Sequence, residues 1–252
     1  MTRRPLAAAA RVLAPAVLIA GCGGEDPDQV LSQTAKNLRS IRSGELSMRM
    51  GIQAGQSGAV GFALAGPFAL PRSGGMPRAR VNYTQIAGDR RATVTVTSTG
   101  RRAYVTAGGR TRRLPAAQVR KLRVGPGGAG EQLRIGSWVR DPKLADGPEL
   151  DGAETERLTA ALDVRAAARD LLRVAGALGP GEGAALGRSG RELERAVRSS
   201  SFELLTGKED RLLRRVRIGI ALRPQGGREA RIRFALGLRR PNRPVRIVPP
   251  RG

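Results

Sequence analysis

Histidine is absent from this chain, and cysteine occurs once, as Cys22, among 252 residues. Without imidazole there is no Ser-His-Asp or Cys-His catalysis, no imidazole metal ligand, and no commonplace general base. A lone thiol permits no disulfide within the chain, so burial must hold the core together. It also leaves a zinc site short of soft ligands. No G-x-S-x-G nucleophile elbow is present. Together these absences argue against an enzyme. Aromatics are scarce too, with one Trp, two Tyr and four Phe, which leaves few platforms for stacking nucleobases.

Acids are outnumbered by bases, 21 Asp plus Glu against 45 Lys plus Arg, for a formal charge of +24. Lys36, Lys121, Lys143 and Lys208 are the only lysines. With abundant Ala and Gly, so strong a preference for Arg reflects a high-GC coding bias, and part of the excess carries no functional message. A basic chain raises nucleic acid as a partner. Export, argued next, removes the chain from nucleic acid. An anionic membrane surface or an acidic envelope polymer is the expected counter-charge.

Long apolar runs are also missing. Behind Arg3, Arg4 and Arg11 lies one uncharged stretch, residues 12 to 20, which as a helix reaches only about 14 Å of a ~30 Å hydrocarbon core. A short apolar run behind arginines and closed by small residues reads as a secretory signal peptide, residues 1–21. The residues Ile19-Ala20-Gly21-Cys22 resemble a bacterial lipobox. That resemblance implies that the Cys22 sulfur receives diacylglycerol, with palmitate among its acyl chains, and that cleavage makes Cys22 the N-terminus. Residues 22–27 then form a lipidated tether at the cell membrane, on its extracytoplasmic side. The plain alternative is a signal peptide with an incidental cysteine. Arg3-Arg4 raises twin-arginine export against the general route, although Pro5 and Leu6 depart from that motif. Cleavage removes three arginines and no acid, leaving +21 (24 − 3).

Beyond the tether, Asp28 is placed to cap a helix running to about Ile41, with Val30, Leu31, Thr34, Leu38 and Ile41 on one face. The period then changes to two. Leu46, Met48, Met50 and Ile52 alternate with Glu45, Ser47, Arg49 and Gly51. After a turn at 55–58 the pattern resumes with Val60, Phe62 and Leu64, then at 79–87, 90–98 and 101–106. Residues 107–150 are less regular, with a short helix at 115–122. A strand is expected near 154–162, a helix over 163–178, a loop over 179–187 and a helix of about ten residues from Ser189. In the C-terminal third, Val216, Ile218, Ile220 and Leu222, then Ile232, Phe234, Leu236 and Leu238, alternate with basic residues. A Pro-rich extended tail follows. Successive antiparallel strands with helices gathered on one side form an α+β pattern. The expected fold is one domain, residues 28–252, built as a strongly curved antiparallel sheet with helices packed on its concave face.

Two motifs carry less than they suggest. Residues 125–130, GPGGAG, match G-x-G-x-x-G but lack the preceding strand of a dinucleotide site. Asp141, Asp146, Glu149, Asp151, Glu154 and Glu156 cluster without an EF-hand spacing, as a solvated acidic loop does. No cofactor or metal is expected.

Several phrases resemble the LolA-like envelope lipoproteins, in particular the LppX/LprAFG family. They are S-G-E-L-S-M at 43–48, R-R-A-Y-V-T at 101–106, W-V-R-D-P at 138–142, D-G-A-E-T-E-R-L-T-A-A-L-D at 151–163 and N-R-P-V-R-I-V-P-P at 242–250. The likeness spans nearly all of residues 28–250, apart from the insert at 70–79. It implies an unclosed β-barrel whose concave face and helices enclose a cavity for the acyl chains of a lipid or lipoglycan, carried across the envelope. Met48, Met50, Ile52, Phe62, Leu64, Val94, Val96, Ile218, Ile220, Ile232 and Phe234 are the cavity candidates. Periodicity alone favours a packed core for the same residues, and it is the resemblance that raises the cavity beside it. A non-carrier lipoprotein that senses or scaffolds a partner is the alternative function. Arg215, Arg217, Arg231 and Arg233 face the other way and are expected on one convex surface, where they dock on anionic phospholipid or acidic polymer, or merely reflect base composition.

The tether has a direct test. Cys22→Ala is expected to abolish labelling with palmitate and to leave the precursor uncleaved or the protein in the soluble fraction; labelling that persists contradicts the lipobox.

Overall fold

The computed structural model describes residues 25–55, 59–121, 135–167, 170, 195–223 and 228–250. The chain enters through helix α1 (Pro27–Asn37), continued by a 3-10 turn over Leu38–Ser40. Asp26 rather than Asp28 is the cap. Its carboxylate accepts the Asp28 amide at 3.0 Å, and Pro27 takes the first helical position, where a missing N–H costs nothing. Val30, Leu31 and Thr34 are buried on the face expected from their spacing.

Among the described residues eleven strands make up one sheet. In chain order they are β1 (Ser43–Ala54), β2 (Val60–Ala69), β3 (Arg78–Ala87), β4 (Arg90–Thr99), β5 (Ala103–Ala107), β6 (Arg110–Arg113), β7 (Val139–Asp146), β8 (Thr155–Leu162), β9 (Val197–Gly207), β10 (Leu213–Leu222) and β11 (Ala230–Arg239). A short helix α2 (Ala116–Lys121) and a 3-10 turn (Ile135–Trp138) stand between β6 and β7. The spatial order is β6-β5-β4-β3-β2-β1-β11-β10-β9-β8-β7, antiparallel throughout. Two meanders, β1 to β6 and β7 to β11, are therefore joined side by side through β1 and β11. The edge strands β6 and β7 do not meet, so the curved sheet stays open.

Three of these strands differ from the sequence expectation. Strand β6, Arg-Thr-Arg-Arg, is exposed at every residue and carries no apolar side chain, so no alternation marks it. Strand β7 carries Pro142, Asp141 with φ of 51°, and a register shift between Arg140 and Lys143, a bulged edge that masks its period. Strand β9 replaces the end of the helix expected from Ser189. Residues 195–196 are helical, but from Val197 the backbone pairs with β8 and β10, a tertiary context that overrides the local signal of Ser199, Ser200 and Ser201. The helix expected over 163–178 is present at 164–167 and 170, and its remainder lies outside the described residues, as do Cys22, the turn at 56–58, GPGGAG and the loop at 179–187.

The core lies over β8 to β11, where Leu158, Leu204, Leu213 and Val216 are fully buried with Ile135 and Trp138. Trp138 donates its indole N–H to the buried Asp170 at 2.9 Å, so the largest apolar ring carries a satisfied polar tip. Helix α1 closes one end of this core. Thr34 donates its hydroxyl to that of Thr206 on β9 at 2.9 Å, and Asn37 reaches the Asp210 carbonyl at 3.2 Å. Arg211 pairs with both Glu25, at the entrance to α1, and Glu156 on β8.

Asp163 caps the helical turn that follows β8. It accepts the Ala166 amide at 3.0 Å and the Arg140 guanidinium at 2.8 Å. The Ala166 amide above all, with Arg140, holds its carboxyl below the usual aspartate range. A depressed carboxyl stabilises the fold fully above its unfolded value of about 4 and loses that contribution as pH falls through the lowered folded value. Asp163→Ala is therefore expected to cost about 1 kcal/mol in urea unfolding near neutral pH. The gap between variant and wild type should vanish once the pH is taken below the folded pKa.

Candidate functional site

Directly opposed residues of an antiparallel ladder share one face, so the register itself assembles the site. Met50 stands opposite Phe62 on β2 and Phe234 on β11, and Phe234 stands opposite Ile218. Ile52 stands opposite Val60 and Ile232, and Ile232 opposite Ile220. Met48 faces Leu64, which faces Tyr83, which faces Val94. Val96 joins the same face two residues on, opposite Val81. All eleven cavity candidates thus lie on one continuous face, the one onto which α1 packs.

Their environments are not equal. Ile218, Phe234 and Ile220 are 3%, 6% and 7% exposed and belong to the close-packed core. Met48, Met50 and Ile232 are half-buried and pack against its margin. Ile52, Phe62, Leu64, Val94 and Val96 are half-buried beyond it, and Val60 at the end of the same face is 52% exposed. Phe62 and Tyr83 stack there with ring centroids 6.1 Å apart. The apolar face is therefore sealed over β9 to β11 and left partly open over β1 to β4. Such a surface, with adaptable methionines at its margin, has dispersion and hydrophobic contact to offer, and little else.

On the opposite face, Arg215, Arg217, Arg231 and Arg233 do share one side, since Arg217 opposes Ala235 and Arg233 opposes Gly219. Their partners separate them. Glu203 sits 3.4 Å from Arg215 and 3.6 Å from Arg217, and Glu229 lies 3.3 Å from Arg231. Arg215 is largely covered, with a buried Nε that has no hydrogen-bond partner. Arg233 has no acidic partner among the described residues, and two further arginines, Arg49 and Arg91, join it on this side in the same condition. The alternation of Arg49 with Met48 and Met50 was a visible signal for its face. Arg91 alternates likewise with Ala92 and Val94 on β4, but nothing local indicated that it would stand in the same row as Arg233.

Threonines cover the rest of that side. Thr84 bonds Thr93, Thr95 bonds Asn82 and Thr106 bonds Thr111, each at 2.9 Å. Val248, Pro249 and Pro250 of the tail lie beside Thr95 and Thr106.

The acidic run is not a solvated loop in every part. Asp146 and Glu154 meet Lys208 at 2.9 and 3.6 Å, Asp151 meets Arg239 at 3.1 Å, and Glu156 is buried against Arg211. The bond from Lys208 holds the Asp146 carboxyl below its usual range, and Asp146 holds the Lys208 ammonium above its own. Among the described residues no group of three acids or other ligands is placed to hold a metal ion. No described helix is long and apolar enough to cross a membrane.

The layout is thus an open antiparallel sheet with one apolar face under a helix. Among solved structures the chain is similar to LprF from Mycobacterium bovis, with 15% identity and a TM-score of 0.49 over 90% of this chain and 97% of that one. It is also similar to a LolA superfamily protein from Nitrosomonas europaea, with 10% identity and a TM-score of 0.23 over 86% of this chain and 94% of that one. No family model matches the sequence, and no curated protein does.

The gradient along the inner face is measurable. Ile218→Ala, in the sealed part, is expected to cost about 2–5 kcal/mol by denaturant unfolding. Val94→Ala, in the open part, should cost about 1 kcal/mol or less, because its methyl groups are only half removed from water. Equal losses would contradict the division.

Proposed function

We propose that this chain is a lipid-anchored envelope protein that holds an acyl chain of a lipid or lipoglycan against its inner sheet face and carries it across the envelope. One observation carries the reading. A continuous aliphatic face spans β4 to β10 through β1 and β11, yet only its β9 to β11 part is sealed by the protein's own core. Half-buried Met48, Phe62, Leu64, Val94 and Val96 present apolar area that water solvates poorly. An acyl chain laid along them removes that area at about 0.8 kcal/mol for each buried CH2 group. Charge is absent from this face at the candidate positions, so the contact selects for tails and not for headgroups. The tether through Cys22 belongs to the same proposal and keeps the molecule at the membrane from which lipid is drawn.

The test is mass spectrometry of organic extracts from the mature chain, residues 22–252, carrying Cys22→Ser. Acyl lipid at near-stoichiometric level is expected with the wild-type face. Leu64→Trp, which fills the open part, should reduce it severalfold while the melting temperature moves little. Lipid-free wild-type protein would instead support an envelope scaffold or sensor.

A further inference from the structure

The side of the sheet away from the apolar face carries a cleft of about 630 Å³ whose construction is unlike its surroundings. One row of directly opposed residues crosses it from Arg91 on β4 through Ile86, Gly61 and Gly51 to Arg233 on β11 and Gly219 on β10. At about 4.8 Å per strand, Arg91 and Arg233 stand roughly 19 Å apart along the sheet, with only glycine hydrogens and Ile86 between them. Arg49 rises beside Gly51, and Arg217 and Arg231 complete the wall. The floor is bare for different reasons. A Cβ at Gly61 would lie 2.1 Å from the Met50 carbonyl oxygen, so the strands approach too closely for any side chain. At Gly51 the nearest atom to a Cβ is 4.0 Å away, so its openness is not imposed by packing.

No acid lines this cleft. Arg217 and Arg231 have partial neutralisation from Glu203 and Glu229 at its margins, whereas Arg49, Arg91 and Arg233 have no acidic partner among the described residues. Like charges converging on a concave space repel one another unless solvent or an anion lies between them. The planar guanidinium forks match phosphate oxygens in pairs. Ile86, a half-buried aliphatic side chain, lies in the same row between Arg91 and Gly61. Cationic forks around an aliphatic side chain suit the boundary of a bilayer, where phosphate and acyl chain are adjacent.

We infer that this cleft seats the phosphates of anionic phospholipids in a membrane surface, with Arg49, Arg91 and Arg233 as the contacts and the glycine floor as the space they enter. The centre of charge is thus displaced from the four C-terminal arginines, of which Arg215, Arg217 and Arg231 already have acidic partners. The inference is independent of whether the inner face holds lipid, because the two sites lie on opposite sides of the sheet.

Flotation of the mature chain carrying Cys22→Ser, with vesicles of phosphatidylcholine alone or mixed with phosphatidylglycerol, tests it. Binding is expected only to the mixed vesicles and should weaken with salt, as the screening length shortens from about 10 Å at 0.1 M. Arg49→Gln, Arg91→Gln and Arg233→Gln together should reduce partitioning on the order of 100-fold. Gly51→Asp, which sets a carboxylate into the cleft where there is room for it, should reduce it as well without lowering the melting temperature. The control triple Arg110→Gln, Arg112→Gln and Arg113→Gln removes the same charge from exposed β6 and should change binding by less than about threefold. Equal losses from the two triples, or no preference of the wild type for phosphatidylglycerol, would overturn the assignment. So would saturation by glycerol phosphate in solution without vesicle binding, which would mark a site for a soluble phosphate ester.

Discussion

Everything in this molecule depends on the ladder between β1 and β11. Within each meander every strand pairs with its neighbour in sequence, and apart from β8 and β9, which are separated by residues 163–196, the connections are short and need little loop closure. The two halves become one sheet only through the ten opposed pairs from Glu45–Arg239 to Ala54–Ala230, whose members are nearly two hundred residues apart. Closing so long a loop costs only slowly more than closing a short one, since the entropy rises with the logarithm of length. A ladder of that extent, with Leu46, Met48, Met50 and Ile52 set against Leu238, Leu236, Phe234 and Ile232, offsets it.

Because side chains alternate with a period of two, this ladder fixes both faces at once. A slip of one residue would turn Met50 to the outside and Arg49 inward, carrying the whole apolar row with it. Glu45 resists that slip from one end, pairing with Arg239 at 3.8 Å and with Arg240. Such half-exposed pairs are each of small value. Close contacts on the outer side discriminate more sharply: a Cβ at Gly237 would lie 2.6 Å from the Ser47 hydroxyl, and one at Gly61 would strike the β1 backbone.

The asymmetry of the inner face follows from what lies over it. Helix α1 is anchored at both ends, through Glu25 to Arg211 ahead of its first turn and through Thr34 to Thr206 and Asn37 to the β9–β10 turn at its last. All three anchors fall on the second meander, so the cover and the close-packed core gather over β8 to β11. Among the described residues, strands β1 to β4 continue the same apolar surface with less packed above it.

By itself the sequence determined the class and the sidedness of the fold. Alternation in Glu45–Ile52 and in Val216–Leu222 is a local property, so the strands, the apolar set that includes Met50 and Phe234, and the opposed arginines were all legible. The opening helix was legible as well, although Pro27 moved its cap from Asp28 to Asp26. Strands β6, β7 and β9 were not, because a lack of apolar side chains, a bulge at Asp141–Pro142 and a run of serines each erase the period that makes a strand visible. Only the tertiary structure decided that Ile218 is sealed while Val94 is half open, that Glu203 and Glu229 take up Arg217 and Arg231, and that Arg91 comes to stand on the same row as Arg233. These depend on which strands lie side by side and on what packs above them. Periodicity along one strand carries its face but not its neighbours, and burial and charge pairing are properties of neighbours.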